Sequence, residues 1–258
     1  MREPLTHPVA WPTVCFAREV GALELSVGET VEGAASRPQR VSAILCAMIG
    51  EIDGAEATPD LVERLSSGTR EWLLQQCGAR CRPADDWFET RCNDCGATFD
   101  TSFDLAALPR SHPAENFPVV SVELSDGSLT FQLPCGHHEH LMAAGASLPQ
   151  LLAALCLDDE ADQALAALTP SDLETIDIAL DAAAPDVADR IALTCPDCGA
   201  VSEARIDPLA YAFPGADPLL RDIHRLSRAY HWSEADILAL PTKRRHRYVA
   251  LVGGGGTR

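Results

Sequence analysis

The chain has no run of about 18 uninterrupted apolar residues, so no transmembrane helix is expected. Residues 1–11 lack the apolar centre of a secretory leader, so no signal peptide is expected either. Aromatic residues are scarce, at 5% of 258 residues, and the core must be built mainly from Leu, Ala and Val. Lysine is almost missing: Lys243 stands against 19 arginines. A nucleophile elbow, a P-loop, a dinucleotide fingerprint and an HExxH pair are all lacking. The scattered Asp and Glu do not group into an acid–base couple. These absences predict a soluble, cytoplasmic, non-enzymatic protein with no membrane partner and no small-molecule substrate.

Acid dominates the charge. The formal net charge is −18, yet it is uneven. Residues 1–218 carry 12 Arg against 35 Asp and Glu, whereas residues 219–258 carry seven Arg and one Lys against three acids. An acidic body argues against a general nucleic-acid binder. A basic end suits docking on something acidic.

Ten cysteines need a reason. Without secretion a disulfide framework is disfavoured, and paired CxxCG turns point to metal. "TRCNDCGATFDTSFDLAALP" (90–109) and "LTCPDCGAVSEARIDPLAYA" (193–212) align without a gap. They share Cys92/Cys195, Asp94/Asp197, Cys95/Cys198, Gly96/Gly199, Asp104/Asp207 and Ala107/Ala210, with apolar Phe103 and Ile206 before the later Asp. Two residues between thiolates let both sulfurs reach one ion, and the Gly relieves the tight turn. Two such knuckles supply four tetrahedral thiolates, so Cys92, Cys95, Cys195 and Cys198 are expected around one structural Zn²⁺. Ninety-nine residues lie between Cys95 and Cys195, an insertion that loop entropy tolerates. A rival scheme has two zincs: Cys77, Cys81, Cys92 and Cys95 in one, Cys195 and Cys198 with Cys135 and one of His137, His138 or His140 in the other. Cys15, Cys46 and Cys156 read as ordinary core or half-buried residues.

Along the chain, "ALELSVGETV" (22–31) alternates and reads as a strand or short hairpin. "RPQRVSAILCAMIGEI" (37–52) reads as a helix with Val41, Ile44, Leu45, Met48 and Ile49 on one face. Residues 58–81 read as two helices interrupted near Ser66-Ser67-Gly68. "FPVVSVELSDGSLTFQLP" (117–134) is the strongest β signal, a hairpin around Asp126-Gly127. Residues 139–168 read as helical, and Thr169-Pro170-Ser171 as the cap of a further helix. Three helices follow the second knuckle, one of them starting at the Ser233/Asp236 capping box. "GGGG" at 253–256 reads as a flexible end. The fold class expected is α+β, mainly helical, with zinc-ribbon-like paired knuckles, an inserted β-hairpin with helices, and a C-terminal helical segment. The domain division is 1–60, 61–215, 216–252 and a flexible tail at 253–258.

In the C-terminal segment, "TKRRHRY" offers either a nucleic-acid patch or a protein-docking face. Glu234 and Asp236 sit where a recognition helix wants polar or basic residues, which favours protein. Tyr230, Trp232, Ile237, Leu238, Leu240, Tyr248 and Leu251 are expected to close a small core. Tyr230, Trp232, Arg244, Arg245 and Arg247 are the candidate partner-binding residues.

Several segments, in order, resemble one family. They are "LSSGTREWLLQQ", "RCNDCGATFDTSFDLAALP", "VELSDGSLTFQLP", "DRIALTCPDCGAVSEARIDPLAYAF" and "LLRDIHRLSRAYHWSEADILALPTKRRHRYVALV". Together they resemble the T-even-phage-type baseplate proteins, or baseplate hub assembly chaperones, of contractile phages and phage-derived injection systems. The resemblance covers roughly residues 60–252, and its C-terminal segment is the most specific part. It implies a non-enzymatic role in assembling a tail baseplate or hub in a bacterial host cell, with baseplate or tail-hub proteins as partners. It carries the metal positions onto Cys92, Cys95, Cys195 and Cys198. "CGHHEH" (135–140), "PGADPLL" (214–220), Cys77 and Cys81 depart from the pattern. The alternative from another class is a zinc-ribbon nucleic-acid-binding or regulatory adaptor.

Overall fold

The computed structural model of the chain describes residues 1–81 and 87–254. After a short strand, β1 (Val14–Phe16), comes a correction to the sequence reading: residues 21–32 are helix α1 (Gly21–Glu32), not a strand or hairpin. The alternation has a physical cause. Leu23 and Val31 pack with buried Val27 into the first core, whereas Leu25 packs on the third. At 100° per residue, position 25 lies opposite 23 and 27. A helix between two cores therefore mimics the period of a strand.

α2 (Arg37–Met48) starts at the Ser36 cap, where Gln39 Oε1 accepts from the Ser36 amide at 2.9 Å, with Pro38 in its first turn. Val41, Ile44, Leu45 and Met48 of its expected face are buried, but the helix read over 37–52 stops at Met48, and Ile49, also buried, begins β2 (Ile49–Ile52). β2 is the middle of an antiparallel sheet with β1 and β3 (Ala55–Glu56). α3 (Pro59–Arg64) and α4 (Ser67–Cys81) break where the sequence suggests. Gly68 is required there, because a Cβ would stand 1.7 Å from the Pro185 carbonyl oxygen. Arg70 is buried and ties four elements together. It donates to Glu139 at 3.0 Å, to the Val62 carbonyl at 3.0 Å, to the Pro38 carbonyl at 3.2 Å and to Ser42 Oγ at 3.1 Å.

The first knuckle is the hairpin of β4 (Trp87–Arg91) and β5 (Thr98–Ser102). Next comes the predicted hairpin, β6 (Val119–Leu124) with β7 (Gly127–Gln132). Its register puts Ser125 and Asp126 in the loop, with Gly127 at φ 90°. α5 (Gly136–Ala143), α6 (Leu148–Leu155), α7 (Asp162–Ala166) and α8 (Pro170–Ala183) complete the insertion. β8 (Arg190–Thr194) and β9 (Val201–Arg205) form the second knuckle hairpin. α9 (Pro208–Tyr211), α10 (Asp217–Tyr230), α11 (Glu234–Leu238) and α12 (Thr242–Gly254) end the described chain. Gly253 and Gly254 thus close a helix, and the rest of the expected flexible end, 255–258, lies outside the described residues.

There are three cores. The first joins α2 and α4 to Leu105, Ile206, Leu209 and Phe213, the residues that trail the two knuckles. Residues on both sides of position 60 share it. The second lies between the β6–β7 hairpin, α6 and α8. The third belongs to α10–α12 and Leu25. No helix among the described residues is long and apolar enough to cross a membrane.

The second core is locked by Asp172 at the start of α8. Its carboxylate accepts from Thr169 Oγ1 at 2.6 Å, the Thr169 amide at 2.9 Å, and the Ser125 amide and Oγ at 2.8 Å each. The Thr169 hydroxyl above all, with the other three donors, holds this carboxyl well below the usual carboxylate range. A lowered folded-state pKa stabilises above the unfolded value, and that contribution fades as pH falls toward the folded value. Asp172→Asn is therefore expected to lower the Tm at pH 7. The Tm gap between wild type and variant should narrow below about pH 4, as thermal melts across pH will show.

Candidate metal centre

The two knuckles are the same device built twice. In each, the glycine after the second cysteine closes the turn on the first: the Gly96 amide donates to the Cys92 carbonyl at 3.1 Å, and the Gly199 amide to the Cys195 carbonyl at 2.9 Å. The Cys92 amide donates to Ala97 at 2.8 Å and the Cys195 amide to Ala200 at 2.9 Å. Gly96 and Gly199 both sit in the left-handed region, at φ 75° and 72°, where a side chain is strained. The repeat continues beyond the strands. Asp104 Oδ1 accepts from the Ala106 amide, and Asp207 Oδ1 from the Leu209 amide, so each copy ends in a capped helical turn. Those turns plant Leu105 and Leu209 in the first core, which fixes both hairpins to one base.

That base brings the four sulfurs together. All lie within 4.8 Å of one another, and among the described residues no other group of three or more His, Cys, Asp or Glu does so. The contacts are crossed: Cys92 Sγ is 3.7 Å from Cys198 Sγ, and Cys95 Sγ is 3.7 Å from Cys195 Sγ. A tetrahedron of sulfurs about 2.3 Å from a central ion has edges of about 3.8 Å. Cys92 and Cys195 are buried, and Cys95 and Cys198 face out. The backbone amides of Cys95 and Asp94 pull the Cys92 thiol down to about 7. At Cys198 the Ala200 amide also pulls down, but the neighbouring sulfurs of Cys95, Cys195 and Cys92, with desolvation, push the thiol up to about 12. Four thiolates cannot share this spot without a cation between them. The set could hold one metal ion.

The two-zinc scheme does not form. Cys77 is fully buried in the first core, where burial pushes its thiol up, and burial pushes Cys81 up to about 11. Cys135 caps α5 with its Sγ 3.1 Å from His138 Nδ1, and both are buried. Burial raises the pKa of that thiol and lowers that of that imidazole, which disfavours the thiolate a metal would need. His137 and His140 turn to Glu63 instead, at 3.4 and 3.2 Å.

The partner-binding candidates separate. Tyr230 and Trp232 stack at 4.8 Å, and Tyr248 meets Trp232 edge-on at 4.9 Å, all three half-buried on the third core. Leu251, expected in that core, is exposed. Arg244 and Arg247 are exposed, with Arg244 donating to the Tyr248 hydroxyl at 3.3 Å. Arg245 is the correction. It is 1% exposed, paired with Glu24 of α1 at 2.5 Å and lying 3.8 Å from Asp222 of α10. It fastens α12 to the body and is not exposed as the sequence reading expected. Sequence reasoning missed Glu24 because it lay in the stretch read as a strand.

Comparison of the chain with protein-family models, with curated proteins and with solved structures finds no match.

Purified protein should carry about one metal ion per chain, lost in Cys92→Ser and in Cys195→Ser but kept in Cys81→Ser, as metal analysis will show. Arg245→Met leaves Glu24 without its buried partner and should cost about 3 kcal/mol in denaturant unfolding, whereas Arg247→Met should leave stability unchanged.

Proposed function

We propose that the chain is a non-enzymatic assembly factor, or minor component, of a phage-like contractile tail baseplate or hub, stabilised by one structural zinc. The observation that carries the structural half is the crossed set of four sulfurs with 3.7 Å contacts. An all-sulfur tetrahedral set selects zinc, or iron as the alternative, over hard cations. Four protein ligands leave no open position for water or substrate, so such an ion holds hairpins together and does no hydrolysis. The assembly half rests on the ordered resemblance of residues 60–252, with the knuckles, hairpin and C-terminal helices in series.

In this reading the cytoplasm of the bacterial host is the place of action, and a baseplate or hub protein is the partner. The partner meets the C-terminal unit, where Arg244 and Arg247 lie beside the rim of the Tyr230, Trp232 and Tyr248 cluster. Half-exposed aromatics beside arginines are the chemistry of an interface anchor. The same exposed arginines favour the second reading, a zinc-bearing nucleic-acid adaptor.

One experiment separates the two. The chain, tagged, is expressed with the tube, sheath and baseplate proteins of a contractile tail and recovered by pull-down. Wild type should bring down a baseplate or hub protein, and Arg244→Glu with Arg247→Glu should lose it while keeping metal and fold. Equal recovery of tail proteins by both would end the docking reading. Nucleic acid recovered by wild type and lost by the variant would replace it with the adaptor.

A further inference from the structure

Two helices on different cores expose charges of opposite sign at the same spacing. On α8, Glu174, Asp177, Ile178 and Asp181 are all exposed. Their positions follow i, i+3, i+4 and i+7, which places them in one stripe. On α10, Arg221, His224, Arg225 and Arg228 are exposed in the same pattern. Among the described residues none of these carboxylates or guanidiniums has an ion-pair partner. Arg221 donates only to the Asp217 carbonyl of its own helix, at 3.3 Å.

Each stripe also carries an aliphatic side chain out of place on a solvated face. Ile178 is 62% exposed within the acidic stripe, and Leu220 is 45% exposed beside the basic one. Like charges at these spacings repel along a helix; on α8 nothing in the stripe offsets this, and on α10 only exposed Asp217, four residues before Arg221, does so in part. A partner of opposite sign relieves that repulsion, and paired aliphatics give the contact a dry centre. The two stripes are opposite in sign and alike in spacing and in apolar content.

We propose that the basic stripe of α10 docks on the acidic stripe of α8 of a second copy of this chain. The contact is heterologous, because each copy offers one stripe and receives on the other. Association therefore runs head to tail, into rings or open chains. The surface is small, so binding is weak and depends on concentration, and the opposite charges mainly steer and orient it. The acidic body disfavours nucleic acid as the occupant of α10. This surface is on α10, whereas Arg244 and Arg247 are on α12, and it goes beyond the docking proposed for them.

The test uses the full metal-loaded chain in sedimentation velocity over a concentration series. Wild type should grow in size with concentration at low salt, with association weakened at least about tenfold when salt rises from about 50 to 500 mM. Two variants reverse one stripe each: Arg221→Glu with Arg225→Glu, and Asp177→Arg with Asp181→Arg. Circular dichroism and metal content check that each is folded. Each variant should be monomeric by itself, and an equimolar mixture should associate again, since one retains the native acidic stripe and the other the native basic stripe. A wild type that stays monomeric at every concentration would overturn the proposal. So would oligomers that survive either reversal, or variants that fail to restore each other.

Discussion

Four sulfurs meet at one point, with ninety-nine residues of chain between Cys95 and Cys195, and their meeting sets how the two knuckle hairpins lie against each other. Each hairpin is only two strands, too little to bury a core or to hold its own shape in water. Each is anchored at its far end by a capped turn that drives Leu105 or Leu209 into the body. At its near end the turn holds two thiols whose charges repel unless something neutralises them. A metal ion held by these sulfurs would act on the end of the two hairpins opposite to the first core. Because metal binding and folding are linked, ordering at one end supports ordering at the other.

The insertion between the knuckles does not depend on the sulfurs for its closure. Its two ends pair as a short antiparallel bridge, Arg110 with Val187. The Ser111 amide donates to Asp186 and the Ala188 amide to Pro109, each at 2.8 Å. Gln75 of α4 then holds the Ala188 carbonyl at 3.1 Å. Loop closure is thus met twice, by this neck and by the hairpins. Arg70 adds a third tie, from α4 through Glu139 to α5 inside the insertion. Buried and hydrogen-bonded through all three of its nitrogens, it specifies how α2, α3, α4 and α5 meet.

Charge is divided between structure and surface in the C-terminal unit. Arg245 is neutralised by Glu24 and Asp222 and works as a fastener. Arg221, Arg225, Arg228, Arg244 and Arg247 stay on the outside of a chain that is otherwise strongly acidic. Sequence alone treats these arginines as equals. Their roles differ because burial makes a lone charge very costly, while solvent leaves it nearly free.

Local chemistry was legible wherever it is set by neighbours in the chain. The Ser233 and Thr169 caps, the β6–β7 hairpin, the α3–α4 break and the repeat of the knuckles all depend on residues a few positions apart, and all appear in the structure. The spacing of Cys92, Cys95, Cys195 and Cys198 marked out the four residues that converge. Two things waited for the tertiary structure. Residues 22–31 alternate because their helix faces two cores, and a sequence shows periodicity but not how many neighbours a helix has. Arg245 turned inward because α1 brought Glu24 to it across more than two hundred residues. Sequence fixes a side chain's chemistry and its local backbone; only packing decides which distant charge it meets, and so whether it binds outward or holds the fold together.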